Sequence, residues 1–367
     1  MNKLLFQSNG QLYEGHIDPR IEIPSGGKGL LFMRDFVRTH KRAGAVHGEF
    51  QEGFVGFVTY EGDSKFVYVK EKKLVDSSQF TILSNIKNNP DYPLPDKEKY
   101  FTALSKIKEL LAAGETYQVN YSEKFSVKFG GEAEKVFATL VARNPSSHQF
   151  FWETDNFALI SNSPECLMRI DAAGRITTQP IKGTVRRGRT DEEDAALAGQ
   201  LLADEKNAAE LAMIVDLERN DMGKVCTAGS VRVIDERRIE KYSHVIHTVA
   251  EVEGQLNPEC DWYDALMALF PGGSVTGCPK KRTMEIIREL EGEPRGIYCG
   301  SAGWIDLSGA CDFNILIRTA WLDKKTHELT FRSGGGIVAD SGPQQEYEEV
   351  LHKAAALAST VAACAKG

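Results

Sequence analysis

The sequence predicts an α+β fold built on antiparallel sheets, and three observations carry that prediction. Segments rich in β-branched and aromatic residues follow one another through most of the chain. Their connections are short, and no regular crossover helix separates them, which disfavours a parallel sheet. Helical periodicity is confined to a few stretches. Hydrophobic residues make up 42% of the 367 positions and charged residues 26%, enough to bury a core and unlike a disordered chain.

The elements follow in order. GFVGFVTYE (Gly53 to Glu61) and KFVYVKE (Lys65 to Glu71) read as paired strands. NNPDYPLPD (Asn88 to Asp96) clusters turn formers around three prolines and marks a boundary. It divides a short region, 1–95, which adds strands to the same fold, from a main region, 96–367. KEKYFTALSKIKELLAAG has helical spacing and stops on Gly114. YQVNYSEKFSVKF, HQFFWETDNFALISN and ECLMRIDAAGRITTQPI read as strands. The acidic stretch from Thr190 to Asp221 reads as one or two helices, with Thr190 or Asp191 as cap. SVRVIDERRIEKYSHVIHTVAEVEGQL returns to strand, and PKKRTMEIIRELEG is a helix with Pro279 near its start. RGIYCGSAGWIDL, ACDFNILIRTAWLD and ELTFRSGGGIVA are strands, and a helix from about Pro343 to Ala363 closes the chain.

Composition excludes several functions. A net charge of −8 argues against a general nucleic-acid role, which needs a basic face. The seven cysteines are scattered, odd in number and without a CxxC pair, so reduced thiols in a cytoplasmic protein are expected rather than disulfides or a zinc site. No signal-peptide run opens the chain, and no apolar stretch has the length of a membrane span.

Four constellations have chemical potential. Glu346, Glu349 and Lys353 fall on one face of the closing helix. On spacing alone this is a solvated face with an i,i+4 pair, or an acidic metal ligand beside a cation. Glu210 stands ahead of an apolar helical run, and carboxylates from separate elements suit Mg²⁺. Lys182, in TQPIKGTVRRG, sits at a strand-to-turn junction. An exposed turn lysine is the ordinary reading; a nucleophile would need burial or nearby cations to favour the neutral amine. Gly334 to Gly336 and PGGSVTGCPK read as tight turns, or as backbone donors that approach an anion closely.

The ordered motifs YQVNYS, SPECLMR, QPIKGTVRRG, AELAMIVDLERNDMGKV, YSHVIH, FPGGSVTGCPK, RGIYCGSAGWI, NILIRTA, GGGIVADS and QEYEEVLHKA resemble the chorismate-binding enzyme family. The resemblance covers roughly residues 96 to 367. It implies two packed antiparallel sheets surrounded by helices, as in anthranilate synthase component I. It further implies Mg²⁺ held by Glu210 and Glu349, with Glu346 as a further ligand. Glu165 resembles the general acid and His247 the histidine against the ring. Arg318 and Tyr298 would hold the enolpyruvyl carboxylate, with Lys353, Ser274, Gly334 and Gly336 completing the anion site. Where this chain has Gln118, the isochorismate and salicylate branches carry a lysine base; glutamine cannot take that proton.

Lys182 stands where the anthranilate branch usually has alanine, and marks the aminodeoxychorismate branch. The implied reaction joins chorismate and ammonia into 4-amino-4-deoxychorismate through a lysine-linked intermediate, for 4-aminobenzoate and folate. The alternatives are the anthranilate reaction and a non-catalytic subunit. None of the cysteines lies in a glutaminase-like elbow, so a separate glutamine amidotransferase subunit is the expected ammonia source, and no appended lyase is expected.

Overall fold

A computed structural model describes residues 2–42, 49–76, 78, 80, 82–83, 86, 92–242 and 245–365. Positions 88–91 of the proline-rich boundary and positions 243–244 of the YSHVIH motif lie outside the described residues.

The chain begins with β1 (Lys3–Ser8), β2 (Gln11–Ile17), α1 (Gly27–Thr39), β3 (Gly53–Val58) and β4 (Ser64–Leu74). Then come α2 (Lys97–Ala112), β5 (Gln118–Lys128), α3 (Ala133–Arg143), β6 (His148–Glu153), β7 (Phe157–Ser163), β8 (Cys166–Ile170), β9 (Arg175–Gln179) and β10 (Ile181–Arg186). The middle of the chain supplies α4 (Asp191–Ala203), α5 (Glu205–Met222), β11 (Arg232–Lys241), β12 (Val245–Gln255) and α6 (Trp262–Leu269). It ends with β13 (Gly277–Cys278), α7 (Lys280–Glu291), β14 (Ser301–Asp306), β15 (Cys311–Asn314), β16 (Thr319–Asp323), β17 (Glu328–Ile337) and α8 (Pro343–Cys364).

Local chemistry sets the helix ends. The Asp96 carboxylate accepts the Glu98 and Lys99 N–H groups and opens α2. Gly114 follows α2 at φ +75°, a conformation glycine takes without strain. Thr190 caps α4 through the Glu193 N–H. Asp204 leaves the helical region and caps α5 through the Asn207 N–H, so the acidic stretch is two helices.

The fold is α+β, and every strand pairing is antiparallel. The hydrogen-bonded path starts at β11 and β12, passes through β9 and β10 to β8, and continues to β15, β14, β3 and β4. From β4 it runs through β2, β1, β6, β7, β16, β17 and β5 to β13. The two packed layers are thus parts of one continuous sheet that folds over itself. Phe57 of β3 meets Trp152 of β6 and Phe157 of β7 edge-on, at 5.9 and 6.2 Å, across that fold. Strands from before residue 95 are woven into the sheet, β1 beside β6 and β3 beside β14.

Two strand readings need correction. In RGIYCGSAGWIDL only Ser301–Asp306 is strand. Arg295 turns inward instead to bond the Glu291 carboxylate, and Cys299 takes a positive φ of 61°. ACDFNILIRTAWLD breaks at 315–318, where Arg318 takes φ 53°. The strand reading of ELTFRSGGGIVA holds, and it is the tight-turn reading of its glycines that fails: Gly334 to Gly336 lie inside β17, paired with Ser122, Tyr121 and Asn120 of β5. No helix among the described residues is long and apolar enough to cross a membrane.

Candidate active site

β5, β10, β12, β17, α5 and α8 converge on one polar recess. Its floor is the glycine run of β17. A Cβ on Gly336 would stand 3.0 Å from Lys182 Nζ and 3.1 Å from Gln118 Nε2. β5 and β10 thus bring these two side-chain ends directly over the strand. A Cβ on Gly335 would stand 3.4 Å from a Glu346 oxygen, 3.6 Å from a Glu349 oxygen and 4.0 Å from Lys353 Nζ. The two halves of the recess therefore meet over consecutive residues.

The acidic half holds Glu210 from α5 with Glu346 and Glu349 from α8. Lys182 pairs with Glu210, and Lys353 with Glu349 at 2.6 Å. Lys353 Nζ also donates to the Gly334 carbonyl at 3.2 Å. Lys206 Nζ bridges the helices, 3.9 Å from both Glu210 and Glu346. Burial raises the Glu346 pKa, although the Ser341 hydroxyl donates to it at 2.6 Å. Burial also pushes Glu349 upward, but the Lys353, Lys182 and Lys206 ammonium groups outweigh it and hold Glu349 below its ordinary range. Three carboxylates from two helices are hard oxygen donors of the kind a divalent cation takes, though their oxygens do not all lie within 4.8 Å of one another.

The other half holds buried polar groups with unmet demand. Gln118 is fully buried, yet neither end of its side-chain amide has a protein partner. Such atoms mark a place where a polar ligand fits. Glu165, between β7 and β8, is buried, and desolvation raises its carboxyl to about 6. Ser274 and the Ile181 N–H, 3.5 Å away, act against that rise, as do the Lys182 and Lys353 charges. Ser274 Oγ faces Glu165 but stands outside good hydrogen-bond geometry. Arg318 sits before β16 with no carboxylate partner among the described residues. Its surroundings desolvate it enough to lower its pKa, while the nearby Tyr298 acts the other way.

His247 of β12 lies beside Arg318 and 2.8 Å from Thr184 Oγ1 of β10. Burial, reinforced by the Arg318 charge, lowers it to about 4, so the imidazole is neutral near pH 7. The unfolded chain takes up a proton near 6.5 that the native state refuses, so this residue's contribution to stability is full above 6.5 and lost as pH falls towards 4. The difference is worth about 3 kcal/mol. His247→Gln is expected to keep a polar side chain opposite Thr184 and to lose less thermal stability than the wild type between pH 6.5 and 4. Parallel melting-temperature curves for the two proteins would contradict this.

Gln118, Lys182, Glu210, Glu346, Glu349 and Lys353 meet over the glycines of β17, Glu165 and Ser274 lie beside Lys182, and His247, Arg318 and Tyr298 group with one another. Sequence reasoning passed over Lys206, whose i,i+4 spacing to Glu210 was legible.

The sequence pattern of the chorismate binding enzyme family matches residues 84–359. The chain belongs to the chorismate-binding enzyme family. It is 43% identical over 306 residues to anthranilate synthase component 1 of Aquifex aeolicus, covering 82% of this chain and 61% of that protein. It is 45% identical over 262 residues to aminodeoxychorismate synthase component 1 of Bacillus subtilis, covering 71% of this chain and 55% of that protein. The chain thus spans somewhat over half the length of these family members. The crystal structure of anthranilate synthase component I from Streptococcus pneumoniae TIGR4 superposes with a TM-score of 0.77 at 29% identity, covering 97% of this chain and 90% of that one. MenF, the menaquinone-specific isochorismate synthase of Escherichia coli, has the same fold, with a TM-score of 0.78 at 21% identity and coverage of 98% and 89%.

Proposed function

We propose that this chain converts chorismate and ammonia into 4-amino-4-deoxychorismate. The observation that carries the reading is the pairing of Lys182 with Gln118 over Gly336: an amine at the recess floor and, beside it, an amide that cannot serve as a water-activating base. In this reading the Lys182 ammonium first sheds a proton, which the lysine takes up again when it leaves, and the free amine attacks C2 of the chorismate ring while the C4 hydroxyl departs as water with a proton from Glu165. Ammonia then bonds to C4, the C2–N bond to Lys182 breaks, and the proton shed by the attacking amines balances the one given by Glu165. A carboxyl raised to about 6 suits a proton donor near neutral pH.

Glu210 and Glu349, with Glu346, would hold Mg²⁺. Bound there, it would neutralise the ring carboxylate and fix the substrate. Arg318, with Tyr298, is the proposed clamp on the enolpyruvyl carboxylate, and its planar fork matches that group. Lys353, Ser274 and the backbone of Gly334 and Gly336 complete the anion site, and neutral His247 packs against the ring. Arg318→Met is expected to raise KM for chorismate by about 10- to 100-fold, the worth of a charged hydrogen-bonding pair. An unchanged KM would remove Arg318 from the substrate site.

The names of the relatives include "component 1", which supports a separate amidotransferase as the ammonia source. A second reading, anthranilate formation, is favoured by the 43% identity to the Aquifex enzyme. Incubation of the purified chain with chorismate, Mg²⁺ and either ammonium or glutamine, followed by product identification, separates the readings. The expected result is 4-amino-4-deoxychorismate from ammonium and nothing from glutamine. Anthranilate as product would reverse the assignment, and glutamine-dependent product would contradict the separate ammonia source.

A further inference from the structure

A second group of chemically able side chains forms where three strands meet. His148 opens β6, Cys166 opens β8, and Asp312 lies in β15. All three are largely buried. Each offers one ligand atom: an imidazole nitrogen, a thiol sulfur and a carboxylate oxygen. Among the described residues, this is the group of three whose ligand atoms all lie within 4.8 Å of one another. The residues come from elements far apart in the chain, which is why cysteine spacing pointed away from a metal site.

The hydrogen bonds here leave one place for a positive charge. The Pro164 carbonyl can only accept, so the Ser147 hydroxyl donates to it, at 2.7 Å. Ser147 Oγ must then accept from His148 Nδ1–H, 3.0 Å away. The other ring nitrogen, Nε2, faces Asp312 Oδ1 at 3.0 Å. Arg169 takes the remaining oxygen, Oδ2, with Nε at 3.0 Å and a second nitrogen at 2.9 Å. A neutral imidazole protonated on Nδ1 would set a lone pair against the carboxylate oxygen. A cation must therefore lie between Nε2 and Oδ1, either a proton or a metal ion.

A proton satisfies that pair and gives the sulfur no part, whereas a metal ion uses all three groups. Two nitrogen or oxygen ligands of tetrahedral zinc, each at about 2.0–2.1 Å, stand about 3.3 Å apart, close to the gap between Nε2 and Oδ1. A short rotation of the thiol brings in the third ligand. Ser147 on Nδ1 and Arg169 on Oδ2 are contacts of the kind that aim metal ligands. A small cleft lined by Gln7, His148, Gln149, Trp304, Asp312 and Asn314 opens beside the group and gives an ion a way in.

We propose that His148, Cys166 and Asp312 form a Zn²⁺ site, separate from the three glutamates of the recess, that ties β6, β8 and β15 together. A nitrogen, a sulfur and an oxygen suit this borderline-soft ion, while Mg²⁺ prefers oxygen alone. The entering ion displaces two protons to solvent, one from the Cys166 thiol and one from between Nε2 and Oδ1. Two positive charges enter and two leave, so the buried charge is unchanged and the Arg169 guanidinium meets no added net charge. Binding to the folded chain stabilises it by mass action.

The test uses Co²⁺ as a spectroscopic stand-in for Zn²⁺, added to the whole chain in excess Mg²⁺. One Co²⁺ per chain is expected, with a thiolate-to-cobalt charge-transfer band in the near ultraviolet. The glutamate recess offers no sulfur and cannot give that band. Cys166→Ala should abolish the band. Cys166→Ala and His148→Gln should each weaken Co²⁺ binding by about 100-fold or more, since even outer-shell partners cost about 10- to 100-fold. Zn²⁺ should raise the melting temperature of the wild type and leave that of Cys166→Ala unchanged. No band, or a band that persists in Cys166→Ala, overturns the proposal and leaves His148 a protonated partner of Asp312.

X-ray absorption of the Zn²⁺-loaded wild type keeps the test open should the variants fail to fold. One sulfur at about 2.3 Å with nitrogen and oxygen at about 2.0–2.2 Å is expected. A shell of nitrogen and oxygen alone, or one with two or more sulfurs, overturns the assignment.

Discussion

Lys182→Ala is expected to lower formation of 4-amino-4-deoxychorismate by about 100-fold or more, because a nucleophile fixed at attack distance makes the first bond formation effectively intramolecular. The structure shows why the amine is fixed. Its stem leaves β10 one residue after the Glu165-facing Ile181 N–H, and its Nζ reaches the Glu210 carboxylate above Gly336. The Lys182 carbonyl, for its part, is held by the Thr248 hydroxyl of β12. Alanine removes the amine and leaves this backbone frame intact, so the variant should fold and bind chorismate.

Ammonia can still reach the ring in such a variant, and a C2-substituted product is an acceptable residue of activity. The decisive measurement is mass spectrometry of wild-type protein incubated with chorismate and Mg²⁺ in the absence of ammonia. A chorismate-derived adduct on the peptide containing Lys182 is expected. If Lys182→Ala makes 4-amino-4-deoxychorismate at the wild-type rate, covalent catalysis by this residue is ruled out and the anthranilate reading becomes the stronger one.

The second large effect is on metal dependence. Glu210→Gln and Glu349→Gln are each expected to reduce turnover by about 100-fold or more, since even outer-shell partners of metal sites cost about 10- to 100-fold when removed. Glu210 lies at the recess end of α5, and Glu349 opens towards the recess with half its side chain accessible. Neither substitution cuts into the apolar core, so melting temperatures should change little. The ion pairs have a consequence of their own. Lys182, Lys206 and Lys353 already satisfy Glu210, Glu346 and Glu349, so an entering divalent ion must displace ammonium groups from these oxygens. Calorimetric titration with Mg²⁺ should show binding to the wild type that both variants lose. Full turnover in excess EDTA would eliminate the metal role.

Much of the fold was legible because local signals and tertiary structure agree here. The Asp96 and Thr190 caps, the Gly114 stop, and the alternating runs of β5, β6 and β7 all occur where residue chemistry places them. The failures have a common cause. RGIYCGSAGWIDL looks like a strand by composition, but the Arg295–Glu291 pair in the core pulls its first half into a turn. The glycines read as a tight turn because glycine is poor in strands, yet β17 runs through them, and a Cβ on Gly334 would stand 2.4 Å from the Tyr121 carbonyl oxygen of β5. Tertiary contact overrode propensity in both places.

The sequence by itself determined the α+β class, the helix ends, and the membership of the chorismate-binding family that the ordered motifs announced. It also named the charged and polar residues of the recess, because their types and order are written in the chain. Only the tertiary structure decided that the two layers are one folded-over sheet, that Lys182 and Gln118 meet over Gly336, and that three lysines sit on three glutamates. Only it brought His148, Cys166 and Asp312 from three strands to one point. The physical reason is that spacing along a strand or helix specifies which face a side chain occupies, whereas burial and pairing depend on which separate elements pack together, as β5 and β17 bring Gln118 over Gly336. Desolvation, which turns an ordinary carboxyl into a proton donor near neutral pH, is a property of that assembled environment.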